Sequence, residues 1–270
     1  MHRKSLAYPY LIWAALFIVV PLLLIVYFSF FKEGHFTLQS YQKFLEDYYI
    51  KSLFRSIELA FISTVICLVL AYPLAMILSG KEMSNKQIIL LLVVLPMWMN
   101  SLLRTYAWAS LLENNGVINN MLKTLQLPTI KFLYGNGAVI FGMVYNFFPF
   151  MVLPIYNVLC KIDGSLVEAS YDLGADKITT FRRVILPLSM PGVITGAVMV
   201  FMPALTTFLI TRLLGGGKVT LIGNIIEEQF TRTRDLEFGS AVSMILMIIV
   251  FITLSFMSKK DSLDKGGGLF

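Results

Sequence analysis

The chain has 270 residues, 57% of them hydrophobic and only 14% charged, with a formal net charge of +6. An average soluble domain carries about 45–50% apolar and about 25% charged residues, so this composition, with a mean hydropathy of +0.76, excludes a water-soluble particle and points to a membrane protein. The positive balance is assigned to loops flanking a bilayer rather than to nucleic-acid binding.

A bilayer-crossing helix needs about 20 mostly apolar residues, because its backbone rises 1.5 Å per residue through about 30 Å of hydrocarbon. In chain order, the apolar runs predict six spans over residues 8–31, 59–78, 88–112, 135–160, 188–212 and 239–257. The first run follows Arg3 and Lys4 but is too long for a signal-peptide h-region and lacks a small-residue cleavage site. Pro21, Pro73, Pro96, Pro149, Pro154 and Pro203 fall inside spans, where neighbouring groups re-satisfy the carbonyls they free. No segment between spans is long enough to fold alone, so residues 1–270 are expected to form one all-α integral membrane domain. Cys67 and Cys160 lie in apolar runs and read as buried free thiols. With only His2 and His35 besides, no metal site is expected. Positive charge is slightly denser in the segments that face inward if both termini are cytoplasmic, a narrow bias by the positive-inside rule.

The most informative polar segment is the loop 161–187, between spans four and five. Ser165 and Glu168 have the S-x-x-E spacing of a capping box. Leu166, Ala169 or Ser170, and Leu173 recur as a small apolar stripe. Gly174 fits the left-handed position after a helix end, and Asp176 is placed to cap a second short helix. A short amphipathic helix on a loop is suited to docking in a groove of another protein.

Glu168-Ala169-Ser170, then Gly174, Val184 and Leu186-Pro187, resembles the EAA motif of ABC importer permeases, E-A-A-x3-G-x9-I-x-L-P, with Ser170 and Val184 as conservative departures. The stretches Phe201–Leu205, Leu214–Gly217 and Leu221–Ile226, Phe238-Gly239, and the residues around Leu103–Trp108 look similar to the spermidine/putrescine permeases of that family. The resemblance implies a type I importer permease of six transmembrane helices, inserted in the cytoplasmic membrane with both termini inside. It implies a coupling role for Glu168, Ala169, Ser170, Gly174, Leu186 and Pro187. The implied partners are a dimer of ATP-binding cassette subunits, which would hold ATP and Mg, a second homologous permease, and an extracytoplasmic substrate-binding protein. The chain itself would carry no cofactor and catalyse no reaction. Other small organic cations, organic anions or ferric iron are alternative substrates.

Gly215-Gly216-Gly217-Lys218 is not a phosphate loop, because Arg212 stands where the first glycine of G-x-x-x-x-G-K-[ST] belongs and Val219 follows the lysine. Those glycines are expected to form a turn. Arg104 is the one charge well inside a predicted span. It either snorkels to the interface or serves the pathway, with Glu113 a candidate partner. Trp98, Ser101, Thr105 and Trp108 share one helical face if Pro96 does not break the register, and Tyr145, Phe148, Val152 and Tyr156 do so in span four. Trp98, Arg104, Thr105, Trp108 and Tyr145 are the candidate substrate-pathway residues, since an aromatic ring offers a passing ammonium about 0.5–2 kcal/mol. The rival of another class is a stand-alone channel or ion-driven carrier, which needs pore charges or inverted repeats.

Overall fold

In hydrocarbon a chain satisfies its backbone only by coiling or by closing a barrel, and these apolar runs coil. The computed structural model describes residues 8–32, 34–80 and 85–265. Five helices among them are long and apolar enough to cross a membrane, and a bent pair supplies a sixth span. In chain order they are α1 (Pro9–Phe30), the short α2 (Gln39–Phe44), α3 (Asp47–Ser79), then the bent pair α4 (Lys86–Trp98) and α5 (Ser101–Leu112), and α6 (Val117–Thr124). They continue as α7 (Asn136–Leu159), α8 (Gly164–Asp172), α9 (Lys177–Thr206), α10 (Leu209–Leu214), α11 (Ile222–Glu228) and α12 (Leu236–Lys265). A two-stranded hairpin pairing Phe31 with Phe36 and Lys32 with His35 follows α1.

Four spans differ from the sequence reading, the sixth simply by running on from Leu236 to Lys265 where 239–257 was expected. The second starts at Asp47 instead of residue 59, because helix length is not apolar length. Lys51 and Asp47 pair at i,i+4 at 2.5 Å, and Ser52 and Ser56 donate to the carbonyls of Tyr48 and Ser52, so the polar end stays helical. The third, expected over 88–112, is two helices: the chain turns by 96° between Lys86–Trp98 and the helical stretch Ser101–Thr124. The fifth, expected over 188–212, begins at Lys177 and stops at Thr206, with α10 resuming at Leu209. Cys67 is buried as expected, but Cys160 is exposed, being the residue that ends α7.

The centre of the bundle is α7, which packs along both α3 and α9, while the second half of α1 leans on α12. One core cluster gathers Leu59, Met143, Leu205, Leu214, Ile222 and Phe238; a second gathers Cys67, Ala71, Met151, Ile155 and Val200. Lipid is as apolar as leucine, so helices in it associate by close packing at small residues. Gly192 and Gly196 of α9 have that role. A Cβ at Gly192 would lie 2.9 Å from the Pro154 carbonyl oxygen and 3.1 Å from Ile155 Cα, and one at Gly196 would lie 2.8 Å from Met151 Sδ. A Cβ at Gly135, in contrast, meets nothing within 4 Å. Gly192→Ala should therefore destabilise the bundle by about 1–3 kcal/mol through overpacking, whereas Gly135→Ala should be neutral. Thermal unfolding of the two variants in detergent measures the difference, and equal midpoints would contradict this packing.

Candidate translocation pathway and coupling loop

Non-helical backbone at membrane depth is tolerated only inside protein or beside a water-filled cavity, which makes the two broken spans the natural place to look for a pathway. The first break follows the 3-10 turn Leu95–Trp98, with Met99 extended. Asn100 then starts α5: its side-chain oxygen accepts from Leu102 N–H at 2.8 Å and its carbonyl from Arg104 N–H at 3.1 Å. The second break lies at Thr207 and Phe208. Asn224 of α11 ties it down, donating to the Phe208 carbonyl at 3.0 Å and accepting from Thr211 Oγ1 at 2.6 Å and Leu221 N–H at 3.1 Å. The preceding Gly223 lies so close that a Cβ would sit 2.4 Å from the Thr206 carbonyl oxygen. Ser56 of α3 accepts from Ile222 N–H at 2.8 Å. Past the breaks, α5 and α10 pack on each other, and α10 packs on α7, where Gly142 leaves room for Leu214 and Ile210.

Four of the five expected pathway residues come together here. Trp108 packs edge-on against Phe141 at 4.8 Å and Tyr145 at 5.3 Å, and the Arg104 guanidinium lies 5.9 Å from the Tyr145 ring centre. Thr105 donates to the Ser101 carbonyl at 2.8 Å and accepts from Asn146 Nδ2 at 3.3 Å. An apolar cleft of 310 Å³ adjoins this cluster, lined by Leu92, Pro96, Tyr145, Phe148 and Pro149 among others. Trp98 is the exception. The break after it puts it on the far side of a 96° turn, 78% exposed, so it shares no helical face with Thr105 and Trp108. Arg104 is 7% exposed and does not snorkel. Nor does Glu113 pair with it: Glu113 ends α5, and its carbonyl accepts from Asn119 Nδ2 at 3.0 Å. Asn100, Asn146 and Asn224 were not singled out from the sequence, although an amide within an apolar run was the available signal.

The Gly-rich stretch after α10 is a turn. Gly216 and Gly217 have φ of +54° and +76°, the left-handed region that glycine enters without strain. Gly216 also lies under Tyr134, whose ring would be 2.1 Å from an added Cβ.

In the loop 161–187 the capping box does not form. Asp163 caps α8 instead, accepting from Ser165 N–H at 3.0 Å, so the helix begins one residue before Ser165. Glu168 is exposed and its carboxylate has no hydrogen-bond or ion-pair partner among the described residues. Gly174 has φ +81°, and the next residue's N–H bonds back to the Ser170 carbonyl at 3.0 Å, closing the helix end. Ser170 is buried, with Oγ 2.8 Å from both the Val167 carbonyl and Thr180 Oγ1, joining α8 to α9. Asp176 caps α9, accepting from Thr179 N–H at 2.9 Å; bonding to Thr179 holds its carboxyl below the usual range. The π turn Phe181–Ile185, where Leu186 N–H reaches the Phe181 carbonyl, leads into Leu186 and Pro187 without ending the helix. α9 therefore runs unbroken from the loop into the bundle, braced by a 2.7 Å hydrogen bond between Tyr72 and Ser189. Leu173 is 89% exposed, with Leu166, Ala169, Tyr171 and Ile178 also exposed around it.

A helical bundle with two broken spans and such a loop defines a class of membrane protein. The chain belongs to the family described as binding-protein-dependent transport system inner membrane component, whose profile matches residues 1–260. Among its relatives, the spermidine/putrescine transport system permease protein PotB of Escherichia coli is 40% identical over 251 residues, covering 90% of this chain and 91% of that protein. PotB of Haemophilus influenzae is 38% identical, with 90% and 88% covered. In fold the chain resembles a subunit of a bacterial ABC transporter that imports alginate, with a TM-score of 0.80 at 17% identity, covering 95% and 94% of the two chains. The inward-facing methionine ABC transporter MetNI is a more distant likeness, with a TM-score of 0.57 at 17% identity. The six-span permease architecture is thus that of its family.

Losing Asn224 would leave the Leu221 N–H without its acceptor at the second break, while the Phe208 carbonyl would keep Thr211 Oγ1 at 2.8 Å and Arg212 N–H at 3.0 Å. Asn224→Ala should cost about 1–3 kcal/mol, read as a lowered unfolding temperature in detergent. An unchanged temperature would show that the break is held by other contacts.

Proposed function

We propose that this chain is one transmembrane subunit of an ATP-driven importer that takes up spermidine and putrescine. The transport system named for its 38–40% identical relatives supports that substrate class. Both termini face the cytoplasm in this reading, which puts the loop 161–187 on the side where ATP is available. ATP and Mg belong to a separate pair of ATP-binding subunits. A second, homologous permease completes the pathway, and an extracytoplasmic binding protein delivers substrate; a transporter of like fold forms a complex with its substrate-bound periplasmic protein.

The observation that carries the coupling role is the combination of an exposed apolar edge on α8 with its rigid continuation into α9. Leu166, Leu173 and Ile178 face outward, Glu168 has a free carboxylate, and Ser170 with Thr180 locks α8 to the start of α9. A push on α8 therefore reaches Leu186, Pro187 and the fifth span as a rigid-body motion. Gly174 keeps the turn tight and leaves its surface open, since a Cβ there meets nothing within 4 Å. Between the breaks, Trp108 and Tyr145 offer ring faces to an ammonium without binding it too tightly to release.

Leu173→Asp tests this reading, because a side chain so exposed is not needed for folding. The variant should insert and unfold as the wild type does, yet co-purify with the ATP-binding subunit at less than about a tenth of the wild-type level, a loss expected of a central apolar contact. Spermidine uptake should fall in parallel. Wild-type co-purification and uptake in both Leu173→Asp and Gly174→Asp would sink the coupling assignment. Spermidine uptake by this chain alone in liposomes, without ATP, would favour a self-sufficient carrier.

A further inference from the structure

Two buried polar groups between α5 and α7 are unmatched. Arg104 is 7% exposed, and its Nε and Nη1 have no acceptor; Asn146 is 4% exposed, and its Oδ1 has no donor. Burial strips the Arg104 guanidinium of water that no protein acceptor replaces at Nε and Nη1. Its compensation among the described residues is the Tyr145 ring, 5.9 Å from Cζ, within the roughly 6 Å reach of a cation–π contact. Asn146 follows Tyr145 directly and is held by its amide nitrogen, which donates to the Gly142 carbonyl at 2.9 Å and to Thr105 Oγ1 at 3.3 Å. The amide is therefore fixed with its oxygen unused.

We propose that Tyr145 and Asn146 form a binding site for a primary ammonium, and that Arg104 is a tethered cation which competes for it. A ring face and an unused carbonyl oxygen are what a protonated amine lacks once it leaves water: a cation–π partner and a hydrogen-bond acceptor. No carboxylate pairs with Arg104 among the described residues, so two cations do not share this site comfortably. An arriving ammonium takes the Tyr145 face and Asn146 Oδ1. Arg104 then swings toward the pathway, where water satisfies the N–H groups that burial left unpaired. When α5 moves back against α7, the guanidinium returns to the ring and expels the amine. This device adds an expelling step to the weak hold of the rings, because the competitor is covalently attached and always present. α5 is suited to the motion: a 96° turn precedes it, and it packs on α10, itself beyond the second break. The proposal rests on the polyamine reading above.

The test is spermidine binding to the purified permease–ATPase complex without the binding protein, together with maximal uptake in proteoliposomes. Arg104→Met removes the competitor and should tighten spermidine binding about tenfold while lowering the maximal uptake rate, because release slows. Arg104→Lys, which keeps a tethered cation, should gain less. Adding Tyr145→Leu to Arg104→Met should abolish the gain. A merely structural arginine would lower uptake with no tighter binding. If Arg104→Met does not assemble, Arg104→Gln carries the same prediction. Binding that is no tighter in the assembled variant, or a gain that survives Tyr145→Leu, overturns the competitor. A wild-type complex that neither binds nor takes up spermidine overturns the polyamine reading, and the competitor falls with it.

Discussion

Everything distinctive here follows from one constraint: inside a bilayer no backbone N–H or C=O can be left to water. Most of the chain obeys it by unbroken helix, and α3, α7 and α9 continue helically past Pro73, Pro149, Pro154 and Pro191. At Met99–Asn100 and Thr207–Phe208 the constraint is met differently, with side-chain amides standing in for the missing helical turns. Asn100 caps a new helix, and Asn224 supplies both a donor and an acceptor to the second break. Breaks held in this way free α5 and α10 from the helices that precede them. The two half-helices pack on each other and face α7, and that is where the aromatic cluster and the unpaired arginine lie.

The same helix that stops at Thr206 begins outside the bundle at Lys177. Its first turn is capped by Asp176 and fastened to α8 through Ser170 and Thr180. One rigid rod thus connects the docking loop to the second break, and Gly192 and Gly196 let it slide close along α7. The proposed coupling loop and the second break are thus two ends of one element. The small residues along its length are required by that packing, and the positive φ of Gly174 is required by the turn that presents α8.

Much of this was legible in the sequence. Hydropathy found the six spans, since apolar content is what it measures, and the spacing from Glu168 to Pro187 identified the loop and the family. Hydropathy averages over windows, so it was blind to the break beside Pro96 and to the one after Pro203, and it truncated α3 where polar residues continue the helix. The capping box failed for a local reason. Asp163 lies two residues before Ser165 and accepts that residue's own N–H, which starts the helix earlier and frees Glu168. The grouping of Trp98 with Trp108 assumed an unbroken register that Met99 interrupts. The unmatched groups on Arg104 and Asn146 depend on which helices meet, and no spacing along the chain encodes that.

In the proposed importer the two breaks face the route taken by solute. Single cysteines at Met99, Asn100, Thr207 and Phe208, with Cys67 and Cys160 replaced, probe that placement in the assembled transporter. A membrane-impermeant thiol reagent should label these positions in one transport state, and spermidine with ATP should change the labelling. A cysteine at Val69, exposed on the flank of α3, should stay unlabelled. Breaks that resist the reagent in every state while Val69 also stays unlabelled would place the solute's route elsewhere.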